Sequence, residues 1–281
     1  MSAMQLQGRD TAGYDREFYA NREKNKQAAK VIISIVQEYI RPCSVVDVGC
    51  ATGVWLAAFK EAGVHDILGI DGDWVPTDML EIPRDAFSVA DVATPIRVGR
   101  QFDLAVCLEV VEHLPEASAA TIVRSLTELS SNILFSAAIP FQGGVGHVNE
   151  QWPDYWAWRF REFGFRPVDC IRPRIWNDAR VIDNSYHFAQ NVLLFTHERN
   201  LCDNARLAEA SKQTEGFPIS LVHPRFFLDH ANPAHIVIDP RKSNCYSSLS
   251  LMMVLPLIPR LFKKAIFNRL GIKRQDGGPQ R

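Results

Sequence analysis

Four side chains fall in a pattern suited to accepting a proton or holding a cation. Glu109, Glu112 and His113 lie in the stretch Glu109-Val-Val-Glu112-His113-Leu-Pro115, and His147 follows on a later glycine-rich segment. A hydroxyl group is a poor nucleophile until its proton is accepted, and imidazoles titrate near neutral pH. His147 therefore leads as a general base, with His113 and Glu112 as its catalytic companions. The same residues, Glu109, Glu112, His113 and His147, also form a donor set for a divalent cation. Both readings stay open on the residues alone, and because neighbouring histidines and carboxylates also pair for stability, the site is carried forward as metal-free. A helix starting near Glu109 would place Glu112 almost one turn on and His113 just past it, bringing all three to one side.

A second set of residues stands where a cofactor would bind. Ser44-Val-Val-Asp47-Val48 reads as a short parallel strand buried on both faces. Gly49-Cys50-Ala51-Thr-Gly53 then turns into a helix whose first amides have no partner within it. A dinucleotide site needs G-x-G-x-x-G. The order here is Gly49-x-Ala51-x-Gly53, so no pyrophosphate cradle is expected. Asp66 to Asp71 predicts a second strand, ending in an acid about 20 residues beyond the turn, where open α/β sheets place the carboxylate that binds a ribose diol. Ser88-Val-Ala-Asp91-Val92 follows a short third strand, and Phe102 to Leu108 predicts a fourth with Glu109 leaving its end. Ligands of doubly wound sheets sit outside such strand ends, so these signals converge on one crevice.

The stretch Asp47-Val-Gly-Cys-Ala-Thr-Gly53 resembles the first motif of the class I S-adenosylmethionine-dependent methyltransferases, with Ala51 where many members carry glycine. Gly69-Ile-Asp71-Gly72 is similar to their second motif. The resemblance implies a doubly wound, Rossmann-like, seven-stranded α/β sheet whose last strand is antiparallel. It also implies S-adenosylmethionine as cofactor, contacted by Asp47, Gly49, Cys50, Ala51, Gly53, Asp71, Gly72, Asp91, Val92, Leu108 and Glu109. Asp71 would take the ribose and Asp91 with Val92 the adenine. The Glu-x-x-Glu-His stretch with its later histidine resembles the ubiquinone-biosynthesis O-methyltransferases. It is also similar to the small-RNA 2′-O-methyltransferases, which hold magnesium with such residues. The block His147-Val-Asn-Glu-Gln-Trp152 looks like methyltransferases encoded with polysaccharide and natural-product assembly enzymes, which tilts the expected acceptor toward a small-molecule or glycan hydroxyl. Two alternatives are a metal-assisted RNA 2′-O-methyltransferase and a non-catalytic S-adenosylmethionine-binding partner protein. Asp47, Asp71 and Asp91 standing in register speak against the latter.

The rest of the chain sets limits. Its 281 residues are 47% hydrophobic and 22% charged with a net charge of −1, a globular composition without overall attraction to nucleic acid. No nucleic-acid partner is expected. Cys43, Cys50, Cys107, Cys170, Cys202 and Cys245 make no Cys-x-x-Cys pair, which argues against zinc ribbons and disulfide frameworks and for a reducing cytoplasm. Strand and helix alternate up to about residue 200, giving a methyltransferase-like domain over 10–200, an extension over 201–246 and a basic amphipathic tail over 247–281. That tail suits peripheral contact with the inner face of an anionic membrane but is too short and proline-broken to span one. Gly143 to His147 suits a flexible lid. Trp152, Tyr155, Trp156 and Phe160 make a helical stripe that is read as core-packing in preference to a sugar platform.

Overall fold

The computed structural model describes residues 16–20 and 24–231, so the basic tail over 247–281 lies outside the described residues. The chain divides into two compact units, Met1–Phe226 and Phe227–Arg281. In the first, strands β1 (Ser44–Val48), β2 (Asp66–Asp71), β3 (Phe87–Val89), β4 (Leu104–Leu108), β5 (Asn132–Ser136), β6 (Phe165–Val168) and β7 (Leu193–His197) form one sheet of order 3-2-1-4-5-7-6. β1 to β5 are parallel, while β7 runs antiparallel to both β5 and β6. This is the seven-stranded α/β arrangement expected from the resemblance.

Alternation along the strands builds two cores. Val45, Leu104, Val106, Leu134 and Leu194 join one cluster, while Val46, Val48, Ala105, Cys107, Ile133, Phe135, Leu193 and Phe195 join the other. Helices α1 (Arg16–Ala20), α2 (Lys26–Tyr39) and α3 (Val54–Glu61) precede β2, and α4 (Ala119–Leu129) and α5 (Pro153–Arg161) follow β4 and β5. α2 buries Ala28, Val31, Ile32, Ile35 and Val36 at helical spacing on the first face; α4 buries Ile122, Val123, Leu126 and Leu129 on the second. α5 opens with Pro153 at its first turn, where the missing N–H costs nothing. Of the aromatic stripe, Trp156 and Phe160 are buried, Phe160 stacking on Phe195 with centroids 4.3 Å apart, whereas Tyr155 is half-buried and Trp152 is exposed.

Two elements differ from the sequence expectation. The apolar run Ile133 to Pro140 predicts a fifth strand of that length, whereas β5 ends at Ser136, although Ala137, Ala138 and Ile139 remain buried. No helix starts at Glu109: that residue is left-handed, with φ 53°, and only a short 3₁₀ turn spans Val111–His113. Pro115 disfavours helical backbone at the residue before it, which leaves no room for a full turn.

Helices α6 (Arg172–Ile175), α7 (Ala179–Asn191), α8 (Glu198–Asp203) and α9 (Ala205–Glu215) complete the first unit, and α10 (Pro224–Ala231) carries the chain out of it. Arg172, wholly buried, ties this region together. Nε and Nη2 form a bidentate pair with Asp169, at 3.0 and 2.7 Å, and Nη1 donates to the carbonyls of Gln190 (2.9 Å) and Ile219 (2.7 Å). The unpaired carboxylate and carbonyls left by Arg172→Ala should destabilise the protein by about 3–5 kcal/mol. A urea midpoint within error of the wild type would show that this knot carries no such weight.

Candidate active site

The tips of β1, β2 and β4 open into a crevice on the face covered by α2, α3 and α7. Asp47, Gly49, Cys50, Ala51, Leu108 and Glu109 line it, together with Asn25, Val54, Trp55 and Phe188. The turn after β1 is tightly determined. Gly49 has φ 80°, and a Cβ there would fall 2.4 Å from Val110, so glycine is required twice over. Gly53 is the N-cap residue of α3. Asp71, at the end of β2, accepts the Ala51 amide on Oδ2 and the Gly72 amide on Oδ1, both at 2.7 Å, which fixes its carboxylate against the β1 turn. Gly72 lies under the Trp74 ring. Asp91 caps its own turn by accepting the Ala93 amide at 3.0 Å, and the Ala90 amide ties that loop to the Asp71 carbonyl at 2.8 Å. The Val92 side chain is buried in the core on the α4 side. The cofactor candidates from β1, β2 and β4 thus meet at one edge of the sheet, while Asp91 and Val92 stand on the neighbouring loop.

The acids of this edge repel each other. Asp47 is buried, and desolvation, aided by the negative charge of Asp71, pushes its carboxyl well above the usual carboxylate range. Burial likewise raises the Cys50 thiol, which removes it as a thiolate nucleophile.

A second, open cavity of about 300 Å³ adjoins the crevice and shares Asn25 and Glu109 with it. Glu112, His113 and His147 gather here, with ligand atoms within 4.8 Å of one another. The two imidazoles meet edge to face, with centroids 4.8 Å apart. Glu112 is fully buried, and its carbonyl accepts the Val148 and Asn149 amides at 2.8 and 3.0 Å, joining the turn after β4 to the loop that carries His147. Glu109 stands apart from this trio. Its carboxylate accepts Gln142 Nε2 at 2.9 Å and Asn191 Nδ2 at 3.1 Å. The trio fits a divalent cation by donor chemistry; Glu109 is engaged by neutral amides instead.

Sequence reasoning missed several residues of this cavity. Gln142 and Asn191 hold Glu109, Asn184 and His187 add polar lining from α7, and Glu150 contacts His147. Only Glu150 had a local signal, its place three residues after His147; the others arrive by tertiary folding alone.

The raised Asp47 carboxyl has a consequence for stability. Its folded-state pKa lies above its unfolded value, so its stabilising contribution is complete below the ordinary carboxylate range and is lost as pH rises through the folded pKa. Ligand-free Asp47→Asn should therefore match the wild type only below the ordinary carboxylate range and increasingly exceed it in urea midpoint as pH rises to neutral. Parallel stability curves across that window would contradict the burial of this charge.

Comparison with known proteins agrees with this architecture. A family model described as a methyltransferase domain matches residues 17–163, just over half of the chain. A ubiquinone biosynthesis O-methyltransferase of Acinetobacter baylyi is 28% identical over 101 residues, a stretch spanning 33% of this chain and 42% of that relative. Among solved structures, DesVI of Streptomyces venezuelae is 23% identical with a TM-score of 0.38, covering 48% of this chain and 61% of its own. A structure described as a putative O-methyltransferase from Nostoc punctiforme is 11% identical with a TM-score of 0.47, covering 68% and 63% respectively. With the sheet order and the family match in hand, the chain belongs to the class I S-adenosylmethionine-dependent methyltransferase domain family, and it spans less than half the length of the curated relative it matches.

Proposed function

We propose that this enzyme methylates a hydroxyl group of a small-molecule or glycan acceptor by in-line transfer. One observation carries the reading: the crevice at the strand tips adjoins a cavity in which Glu112, His113 and His147 converge, and the two share a wall at Asn25 and Glu109. The residues present suit the cofactor that the family uses. Glu109 lines the crevice and Asp71 stands behind its Ala51 wall, acids that complement a positively charged sulfonium compound. When bound, S-adenosylmethionine supplies an already activated methyl group.

The chain's own contribution is then to place and deprotonate the acceptor. Asp71 would bind the ribose, with the turn Gly49-Cys50-Ala51 holding the amino-acid end and the Asp91–Val92 loop the adenine. Glu109, oriented by Gln142 and Asn191, forms the wall where the two substrates meet. His147 accepts the hydroxyl proton, and Glu112 and His113 shape the polar floor beside it. Holding both partners at the junction supplies the proximity on which a transfer between two bound molecules depends.

A second reading, in which a divalent cation on Glu112, His113 and His147 lowers the pKa of the acceptor hydroxyl, is favoured by the 4.8 Å grouping of those donors. Chelation decides between them. On the first reading activity survives exhaustive treatment with EDTA; on the second it is lost and returns with magnesium or manganese.

Incubating the enzyme with a cell extract and isotopically labelled S-adenosylmethionine, followed by mass spectrometry, identifies the acceptor; a product labelled on nitrogen or carbon would overturn O-methylation. Asp71→Ala should abolish calorimetric binding of adenosylhomocysteine, and undiminished affinity would remove Asp71 as the ribose contact. His147→Ala should lower kcat by about 10²–10⁴-fold with adenosylhomocysteine affinity retained. Full turnover would dismiss it as the base.

A further inference from the structure

Glu150 occupies a place that no part of the reaction has yet required. Its side chain is 18% exposed and that of His147 12%, and His147 Nδ1 lies 2.9 Å from Glu150 Oε1. The other contacts of this carboxylate are equally short: Oε2 accepts the Phe141 amide at 2.8 Å, and Oε1 accepts the Gly143 amide at 2.6 Å. A carboxylate has only acceptor sites, so the ring nitrogen facing it must carry the proton. Nε2 is then the nitrogen of neutral His147 that retains a lone pair. His147 lines the acceptor-side cavity, and Gly144 packs against its Nε2 edge. A Cβ at Gly144 would stand 2.2 Å from Nε2, so the absence of a side chain at Gly144 is what lets the imidazole lie where it does.

The same contacts shape the cavity wall. Phe141 is left-handed, with φ 71°, a strained conformation for a non-glycine residue that persists only when its surroundings enforce it. The amides on either side of Gln142 both end on Glu150, and Gln142 itself reaches Glu109. One carboxylate therefore fixes the ring of His147 and the backbone that presents Gln142.

We propose that Glu150 is a positioning residue for methyl transfer: it holds His147 as the Nδ1–H tautomer, with Nε2 available to the acceptor-side cavity, and it sets the loop that orients Gln142. This rests on the reading of His147 as the group that accepts the acceptor's proton. The arrangement parallels the carboxylate–histidine pairs that fix imidazole orientation at many catalytic and metal sites, where removing the outer partner typically costs about 10–100-fold in activity or affinity.

Nitrogen NMR of the full-length enzyme labelled with ¹⁵N-histidine tests the idea, with the His147 resonance assigned by its loss in His147→Asn. Wild-type His147 should show the Nδ1–H tautomer, and Glu150→Gln should move it toward Nε2–H. The same variant should lower kcat by about 10–100-fold, with less effect on the KM for S-adenosylmethionine and unchanged affinity for adenosylhomocysteine. Glu150→Asp, which keeps the carboxylate, should recover part of the loss. A wild-type Nε2–H tautomer overturns the proposal without recourse to any variant, and so does an unchanged tautomer or unchanged kcat in Glu150→Gln. Failure of the underlying reading shows up separately, as full turnover by His147→Asn.

Discussion

Three adjacent parallel strands end on one edge of the sheet, and the chain leaves each of them through a left-handed residue that is not glycine. Ala51 follows β1 with φ 49°, Glu109 follows β4 with φ 53°, and Phe141 follows β5 with φ 71°; among the described residues no other non-glycine residue adopts such a backbone. In each case the amide of the strained residue donates to a side-chain oxygen from elsewhere in the chain. Ala51 donates to Asp71 at 2.7 Å, Glu109 to Ser136 Oγ at 3.1 Å, and Phe141 to Glu150 at 2.8 Å. Strain of this kind survives only where surrounding contacts over-determine the backbone. The three acceptors therefore do more than decorate the strand ends: they hold the exits that shape both cavities, and two of them, Asp71 and Glu150, are themselves acids of the site.

This explains which parts of the molecule were legible in the sequence. The strand-turn-helix at Ser44–Glu61 announces itself because valines at successive positions, two glycines and an aspartate each leave a local mark, and Asp71 follows at the spacing an open α/β unit imposes. The parallel α/β class follows from those marks, and the expected cofactor from the family resemblance that Asp47 to Gly53 carries. The expectation of a helix at Glu109 failed because residue spacing carries no record of the left-handed turn, which Ser136, Gln142 and Asn191 enforce from β5, the following loop and the end of α7. Arg172 was silent for a related reason. An arginine near a proline reads as surface, and nothing local reveals that Asp169, Gln190 and Ile219 close around it. The short strands and turns were readable from neighbours in sequence; the polar knots, whose members lie up to 82 positions apart in the Glu109–Asn191 contact, were not.

The acids at the strand tips set stability against binding. Burying Asp47 near Asp71 raises its pKa, so the ligand-free fold is under an electrostatic load that grows as the carboxyl ionises. A cation in the crevice would relieve that load, and a ligand that binds only the folded chain adds its own stabilisation by mass action. The crevice is thus expected to be the part of the protein most responsive to its ligand, together with the core under α2 that lends it Cys50, Trp55 and Phe188, whereas the core under α4 shares none of its lining residues.

The junction between the cavities is tied to helix α7 by hydrogen bonds to both of the residues they share. Helix α7 breaks its regular geometry at Ser185, with φ −148°, and the Ser185 hydroxyl donates to Asn25 Oδ1 at 2.7 Å. On either side of that irregularity the helix places Asn184 and His187 toward the acceptor cavity and Phe188 toward the crevice, where Phe188 meets Trp55 edge to face at 5.2 Å. Asn25, shared by both cavities, is held by the same kink, and Glu109, the other shared residue, is held by Asn191 at the end of the same helix. Both shared residues are thus held through one helix, α7, which packs against α2. On the proposed transfer, whose activated group arrives with the cofactor, holding two bound partners in line at this junction is what the chain's own residues supply.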